Sequence, residues 1–260
     1  MKKTKIVATI SDKRCEVEFL EKLYCAGMNV VRLNTAHQDM EQALKVVENV
    51  RKVSDNIAIL IDTKGPEVRT MLMDEPMHVD RGETVYLTGD PELKMDGKLI
   101  HVSYPYFAED IKVGDKVLVD DGDVELIVVE KKDHYLKMMV TNEAVIKNRK
   151  SINVPGASLK LKSLSDKDRA FIDFAIDNNL DFIAHSFVRN KEDVMAIQAI
   201  LDARGSKIKV IAKIENQEGV DNIDEILDYA YGVMVARGDL GIEIEAEKIP
   251  KIQRYIVKKC

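Results

Sequence analysis

Five short segments hold most of the side chains able to do chemistry in this 260-residue chain. They are Arg32-Leu33-Asn34-Thr35-Ala36-His37, Asp62-Thr63-Lys64-Gly65-Pro66-Glu67-Val68-Arg69, His185-Ser186-Phe187-Val188-Arg189, Lys213-Ile214-Glu215-Asn216 and Ala236-Arg237-Gly238-Asp239-Leu240-Gly241. Each follows a short apolar run that reads as a β-strand, so each lies at a strand's C-terminal end. Glu215 and Asp239 are carboxylates on successive strands. A hard cation that keeps some of its waters suits such a pair, which points to Mg²⁺. Arg32, Lys64, Arg69, Lys213 and Arg237 supply cationic donors around it. The backbone from Gly238 onward can present N–H groups to an anion at the start of a short helix. A divalent cation, several fixed cations and an anion cradle are what phosphoryl transfer requires, because there the protein mainly neutralises and positions charged oxygens.

Each piece also has a plainer reading. Glu215 with Lys213 serves as half of a structural ion network, and Arg237 with Asp239 as a rim pair. Asp120-Asp121-Gly122 is the composition of a hairpin turn. His37 and His185 are the two histidines near these segments, and both suit structural roles better than catalysis. Asp74-Glu75 and Lys258-Lys259 read as solvated surface. One charged strand end is explained by capping and solvation; five in register are costly to keep without a ligand.

The elements that must position these residues alternate strand and helix. Strands are expected at Ile6–Ile10, Asn29–Asn34 and Asn56–Thr63, with helices at Glu16–Cys25, closed by Gly27, and at Met40–Val53. Near-continuous apolar strands separated by helices indicate a parallel sheet covered on both faces. From Thr70 the pattern changes to Glu83–Leu87, Lys116–Val119, Val124–Val129 and Tyr135–Val140, punctuated by glycines and without a convincing helix. That reads as an inserted antiparallel β module of about 80 residues, closing at the turn Asn153-Val154-Pro155-Gly156. The alternation then resumes: a helix capped by Ser165 to Asp168 and running through Ile176, strand Phe182–Val188, helix Asp193–Ala203, strand Lys209–Glu215, helix Asn222–Ala230, strand Gly232–Ala236 and a last helix from Pro250. Residues 1–69 and 154–260 thus form one discontinuous domain and 70–153 a second. A closed eight-stranded (β/α) barrel needs about 250 residues, and the first domain has about 180. The alternatives are an open six-stranded sheet or a barrel lacking its last units. The latter is favoured, because the chain stops at Cys260 inside an amphipathic helix with no stop signal.

Composition narrows the class of partner. Hydrophobic residues make up 45% and charged residues 32%, which is ordinary globular composition. The net charge of −6 leaves no basic excess to track a phosphate backbone, so no nucleic-acid partner is expected. The apolar runs are far too short to span a membrane. Cys15, Cys25 and Cys260 have no metal-type spacing and read as reduced thiols, which places the chain in the cytoplasm.

Several segments resemble pyruvate kinase: Thr4-Lys5-Ile6-Val7-Ala8-Thr9-Ile10, Gly27 to Asn34, Asp62 to Arg69, Val119 to Gly122, Asn153 to Gly156, Ser186 to Arg189, Lys213 to Asn216 and Val235 to Gly241. A lone Lys-Ile-Glu run is shared with other barrels, whereas the ordered set with a β insertion after the third strand is specific. The resemblance implies an incomplete TIM-type barrel of six βα units interrupted by a small antiparallel β-barrel lid. It implies transfer of a phosphoryl group from phosphoenolpyruvate to ADP, giving pyruvate and ATP, in a cytoplasmic, homotetrameric parent enzyme of glycolysis. Glu215 and Asp239 match ligands of Mg²⁺ or Mn²⁺. Lys213 matches the lysine that stabilises the transferring phosphoryl and the developing enolate, and Arg32 an arginine on the phosphoryl group. Ala236, Gly238 and Asp239 match the backbone holding the substrate carboxylate. Arg69, Lys150 and Asn34 correspond to positions beside nucleotide phosphates, and Asn34, Asp62 and Thr63 to ligands of K⁺.

The chain departs from that pattern at three places. Ala36 replaces a serine whose hydroxyl helps bind K⁺ in the family, and Thr35 an aromatic. Ile10-Ser11-Asp12-Lys13 lacks the usual Gly-Pro. A glutamate where Glu67 stands accompanies K⁺ dependence in the family. The seventh and eighth strands and a regulatory domain are expected beyond Cys260, so these 260 residues alone are expected to be inactive. Two other readings stay open: a metal-dependent lyase or aldolase on pyruvate-like acids, and a non-catalytic fragment.

Overall fold

The structure is a computed structural model that describes residues 3–260. Six strands, Ile6–Thr9, Met28–Asn34, Ala58–Asp62, Phe182–His185, Lys209–Ile214 and Gly232–Val235, form one parallel sheet. They are called here the first to sixth barrel strands, and their order across the sheet is their order along the chain. A doubly wound sheet reverses that order at a switch point, whereas an unreversed series is the path of a barrel wall. The first and sixth strands each pair on one side only, so the wall is an incomplete barrel.

Local chemistry explains the units. In the third strand Ile59, Leu60 and Ile61 are all buried, as a strand covered on both faces requires. Helix Met40–Val53 opens with Asp39 and Gln42 in a reciprocal capping box and buries Ala43, Val46, Val47 and Val50 along one stripe. Helix Asp166–Asp177 repeats the device with Ser165 and Asp168. The fully buried Asp168 also accepts the Lys64 N–H at 2.9 Å, so this cap pins the loop that leaves the third strand.

Two barrel elements differ from the periodicity reading. The fourth strand stops at His185 rather than Val188, because Phe187 adopts φ 56° and turns the chain out of the sheet. The expected helix over 222–230 is present as Ile223–Tyr229, but an additional short helix, Gln217–Asp221, precedes it, capped by the Asn216 side chain, which accepts the Gly219 N–H.

The inserted module is not wholly antiparallel. Its seven-stranded sheet runs Val68–Arg69, Ser151–Asn153, Lys116–Val119, Val124–Lys131, Leu136–Val140, Thr84–Thr88 and Leu99–His101. The last two strands are parallel, since the polar connection 89–98 makes no hairpin turn and returns the chain in the same direction. The edges meet where Met71 N–H donates to the His101 carbonyl at 2.8 Å and Ser103 N–H to that of Arg69 at 2.9 Å. Met77–Val79 and Ala144–Ile146 pair separately, and Phe107–Asp110 is a single helical turn, too short for periodicity to reveal. Leu159 and Leu161 pack against this module's core. Arg189, four residues beyond the fourth barrel strand, donates to the Leu159 and Leu161 carbonyls at 2.9 and 3.0 Å, tying the lid's exit to the barrel rim.

Candidate active site

Strand register brings the charged ends together. Asn34 and Ala184 flank Asp62 on the neighbouring strands, and His185 lies opposite Ala212, one residue before Lys213. The Lys213 ammonium stands 3.0 Å from Asp62 Oδ1 and 2.9 Å from Glu215 Oε1, and donates to Ser186 Oγ at 2.6 Å. Arg32 Nε donates to Asp62 Oδ2 at 2.7 Å, and a second guanidinium nitrogen pairs with the same oxygen. Asp62 therefore spaces Arg32 from Lys213. Asp62 and Glu215 are 1% exposed and Lys213 7%, so these three charges are held almost without water, while Arg32 at the edge of the network keeps its side chain 26% exposed.

Burial opposes the Lys213 charge, but Glu215 and Asp62 outweigh it and raise its pKa. For Glu215 burial dominates: it pushes the carboxyl up to about 7 against the pull of Lys213 and the Phe187 N–H, and Asp239 adds to the rise. One ammonium therefore leaves the Glu215 carboxylate under-compensated.

The two carboxylates fit a divalent cation. Glu215 Oε2 accepts the Phe187 N–H at 2.7 Å, whereas the buried Oε1 has no hydrogen-bond partner, its approach to Lys213 being ionic only. Asp239 projects from the exposed first turn of helix Arg237–Glu243, just beyond the sixth strand. No cluster of three or more His, Cys, Asp or Glu suited to a metal occurs among the described residues. Two carboxylates are the protein share that Mg²⁺ typically takes, with waters and substrate oxygens supplying the rest.

Asn34, Asp62 and Thr63 offer an all-oxygen set suited to K⁺, in which the Asp62 carboxylate is already engaged by Arg32, Lys213 and Ser186 while the other two oxygens have one partner each. Asn34 Oδ1 accepts the Ala36 N–H at 3.1 Å, and the Thr63 carbonyl accepts the Ser186 hydroxyl at 2.7 Å. Ala236 N–H is used by the Ile214 carbonyl at 3.3 Å, while Gly238 lies exposed with open space where a Cβ would be.

Arg69 and Lys150 stand apart from the strand-end network, at the root of the lid. Arg69 is clamped by Glu67 at 2.8 and 3.1 Å and donates to the Arg149 carbonyl at 2.6 Å; the Glu67 bonds raise its pKa. Lys150 pairs with Asp120 at 2.8 Å in the Asp120-Asp121-Gly122 turn, a hairpin turn with positive φ at all three residues. A cleft of about 340 Å³ runs between lid root and barrel rim, lined in part by Asp121, Ser151, Phe187, Asn216 and Asp239. His185 is fully buried and held neutral, its pKa pushed down to about 4 by burial. His37 is exposed. Ser186 and Phe187 lie in one of the five segments, and Asp168 in a cap, but the sequence assigned none of the three an individual role in the site.

The family described as pyruvate kinase, barrel domain, matches residues 1–260. The chain belongs to the pyruvate kinase family. It is 51% identical over 260 residues to the pyruvate kinase of Borreliella burgdorferi, covering 100% of this chain and 54% of that protein. To that of Geobacillus stearothermophilus it is 45% identical over 267 aligned positions, covering 100% of this chain and 45% of the relative. A crystal structure of a pyruvate kinase from Cryptosporidium parvum superimposes with a TM-score of 0.95 at 39% identity, over 100% of this chain and 55% of that one. The chain thus spans about half the length of the pyruvate kinases it matches. The incomplete barrel with its inserted lid superimposes over its whole length on part of that pyruvate kinase. No helix among the described residues is long and apolar enough to cross a membrane.

Proposed function

We propose that this chain carries most of a site that moves a phosphoryl group from phosphoenolpyruvate to ADP. The ester O–P bond of phosphoenolpyruvate breaks, a P–O bond to the terminal ADP oxygen forms, and the enolate takes a proton to become pyruvate. Arg32 and Lys213 face the phosphoryl oxygens, and Lys213 meets the charge that grows on the enolate oxygen. Backbone at Ala236, Gly238 and Asp239 holds the substrate carboxylate. Arg69 and Lys150, with Asn34, lie beside the nucleotide phosphates as the lid approaches. Glu215 and Asp239 would hold Mg²⁺ or Mn²⁺, which supplies neutralising charge to phosphoryl oxygens when bound. Asn34, Asp62 and the Thr63 carbonyl would hold K⁺. The setting is glycolysis in the cytoplasm, in a longer homotetrameric protein.

One observation carries the reading: Asp62 locks two cations side by side next to a buried Glu215 oxygen that has no hydrogen bond. The test is Mn²⁺ binding to the chain, followed by electron paramagnetic resonance. Glu215→Gln and Asp239→Asn should each weaken binding, and unchanged binding in Glu215→Gln would remove the metal assignment. In a full-length pyruvate kinase containing this chain, Lys213→Met should collapse pyruvate formation in a coupled assay. Activity on an aldol substrate instead would favour a lyase. With both sheet edges unpaired among the described residues, the 260 residues alone are expected to show little or no turnover and to associate.

A further inference from the structure

One buried hydroxyl sits inside the ion network without a role in the chemistry above. Ser186 is 2% exposed and directly follows the fourth barrel strand. Its N–H donates to Thr63 Oγ1 at 3.0 Å. Its hydroxyl oxygen lies 2.7 Å from the Thr63 carbonyl, 3.1 Å from Asp62 Oδ1 and 2.6 Å from Lys213 Nζ. A hydroxyl has one proton to give and two lone pairs. The shorter acceptor, the Thr63 carbonyl, takes the proton, and the oxygen accepts from the ammonium.

The Lys213 ammonium is in ionic contact with two carboxylates, Asp62 and Glu215, and donates its hydrogen bond to the Ser186 hydroxyl. Two carboxylates alone leave the head of a flexible side chain free to shift between them. The third, neutral acceptor fixes it. The backbone around Ser186 is built to hold this arrangement. Phe187 keeps φ 56°, uncommon for a bulky residue, and so sends its N–H to Glu215 Oε2. Gly65 packs so closely that a Cβ there would lie 2.8 Å from Ser186 Cβ. An unfavoured backbone conformation that serves both Lys213 and Glu215 is the kind kept at functional sites.

We propose that Ser186 is a positioning residue whose hydroxyl fixes where the Lys213 ammonium stands between Asp62 and Glu215, and so where it meets a phosphoryl oxygen. The last clause rests on the phosphoryl-facing role of Lys213 proposed above. A merely structural serine would satisfy the Thr63 carbonyl and leave the ammonium where the carboxylates hold it.

The experiment reads the ammonium itself. In the ¹⁵N-lysine-labelled chain, the Lys213 signal is assigned through Lys213→Arg and its proton exchange with water is measured. Ser186→Ala should shift the signal and speed exchange about tenfold or more, the factor carried by one hydrogen bond to a charged group. Ser186→Thr should restore both. Ser186→Cys, similar in size but a weak acceptor, should behave like the alanine variant and stands in for it if that variant does not fold. Exchange within about twofold of the parent in Ser186→Ala or Ser186→Cys would overturn the proposal. Adding phosphoenolpyruvate to the parent chain tests the other reading separately. A Lys213 signal unmoved by saturating phosphoenolpyruvate refutes the phosphoryl role, while faster exchange in Ser186→Ala still establishes the anchoring.

Discussion

The barrel rim and the lid root both pair lysine or arginine with carboxylates, but in opposite ways. At the rim, Lys213 touches two carboxylates and a hydroxyl, and all the partners are nearly free of water. At the lid root, Arg69 and Lys150 each hold one carboxylate, and their side chains are 38% and 33% exposed. Taking charges out of water makes their mutual positions rigid and makes each partner hard to remove. Leaving them partly wet lets a pair open at little cost. The rim is built to hold charge still, and the lid root is built to exchange partners.

The strongest way to break this contrast is to remove the central cation. Lys213→Met should destabilise the chain by about 3–5 kcal/mol, since Asp62 and Glu215 stay buried with too little positive charge. Adding Glu215→Gln should recover part of that loss rather than deepen it. Urea denaturation of the two variants checks both, and a Lys213→Met loss as small as a surface substitution would mean the rim is wetter than its burial indicates.

Glu243 sharpens the same point without a cation. Its carboxyl receives the Gln217 N–H, and burial, reinforced by Glu218, pushes its pKa up to about 7. The folded state therefore holds a proton that the unfolded state releases above about 4.5, so this group lowers stability as pH rises from about 4.5 to 7 and beyond that by a constant amount. Glu243→Gln should be more stable than the parent by about 1–2 kcal/mol at pH 8, after allowing for partial exposure, and equal to it near pH 4. Thermal melts across that range give the difference directly.

The lid root should respond differently, in function rather than stability. In a full-length enzyme, Glu67→Lys should reduce dependence on K⁺, because a local ammonium can take the place of an added cation. Glu67→Gln, which frees Arg69 and removes a carboxylate but supplies no ammonium to replace the cation, should not. Ala36→Ser should lower the K⁺ concentration for half-maximal rate modestly, since water can stand in for one neutral ligand. Initial rates against KCl at constant ionic strength decide these. The smallest effect is expected for Lys150→Met, whose stability should change by less than about 1 kcal/mol because its ion pair is partly solvated. A larger loss would erase the distinction between rim and root.

The barrel units were legible because their apolar periodicity is strong and their ends carry unusual charge. The cap at Ser165 to Asp168 is legible in the sequence as well. What stayed hidden was whatever depends on one residue's backbone or on distant pairing. Nothing in the composition of Ser186-Phe187 signals a positive φ, so the fourth strand read as continuing to Val188. The lid's strands Val68–Arg69 and Ser151–Asn153 are too short for alternation, and they become strands only by pairing across the sequence. In the site, charged residues could be gathered by type. That Asp62 would link Arg32 to Lys213 required the register of three strands.

The placement of the lid also bears on how the chain reaches this structure. Thr63 and His185 touch across the seam between the third and fourth strands although 122 positions separate them. Closing a disordered loop of that length costs about 4 kcal/mol in chain entropy. The lid has its own apolar core, and its first and last strands lie side by side, Val68 opposite Ile152. A lid that folds early therefore brings the two ends of the insertion together and shortens the connection to be closed to the stretches 63–68 and 152–185, saving about 1 kcal/mol of that entropy. The insertion thus acts as a folding clamp for the barrel wall. Substitutions deep in the lid core, such as at Leu126 or Val85, would then slow assembly of a sheet they never touch.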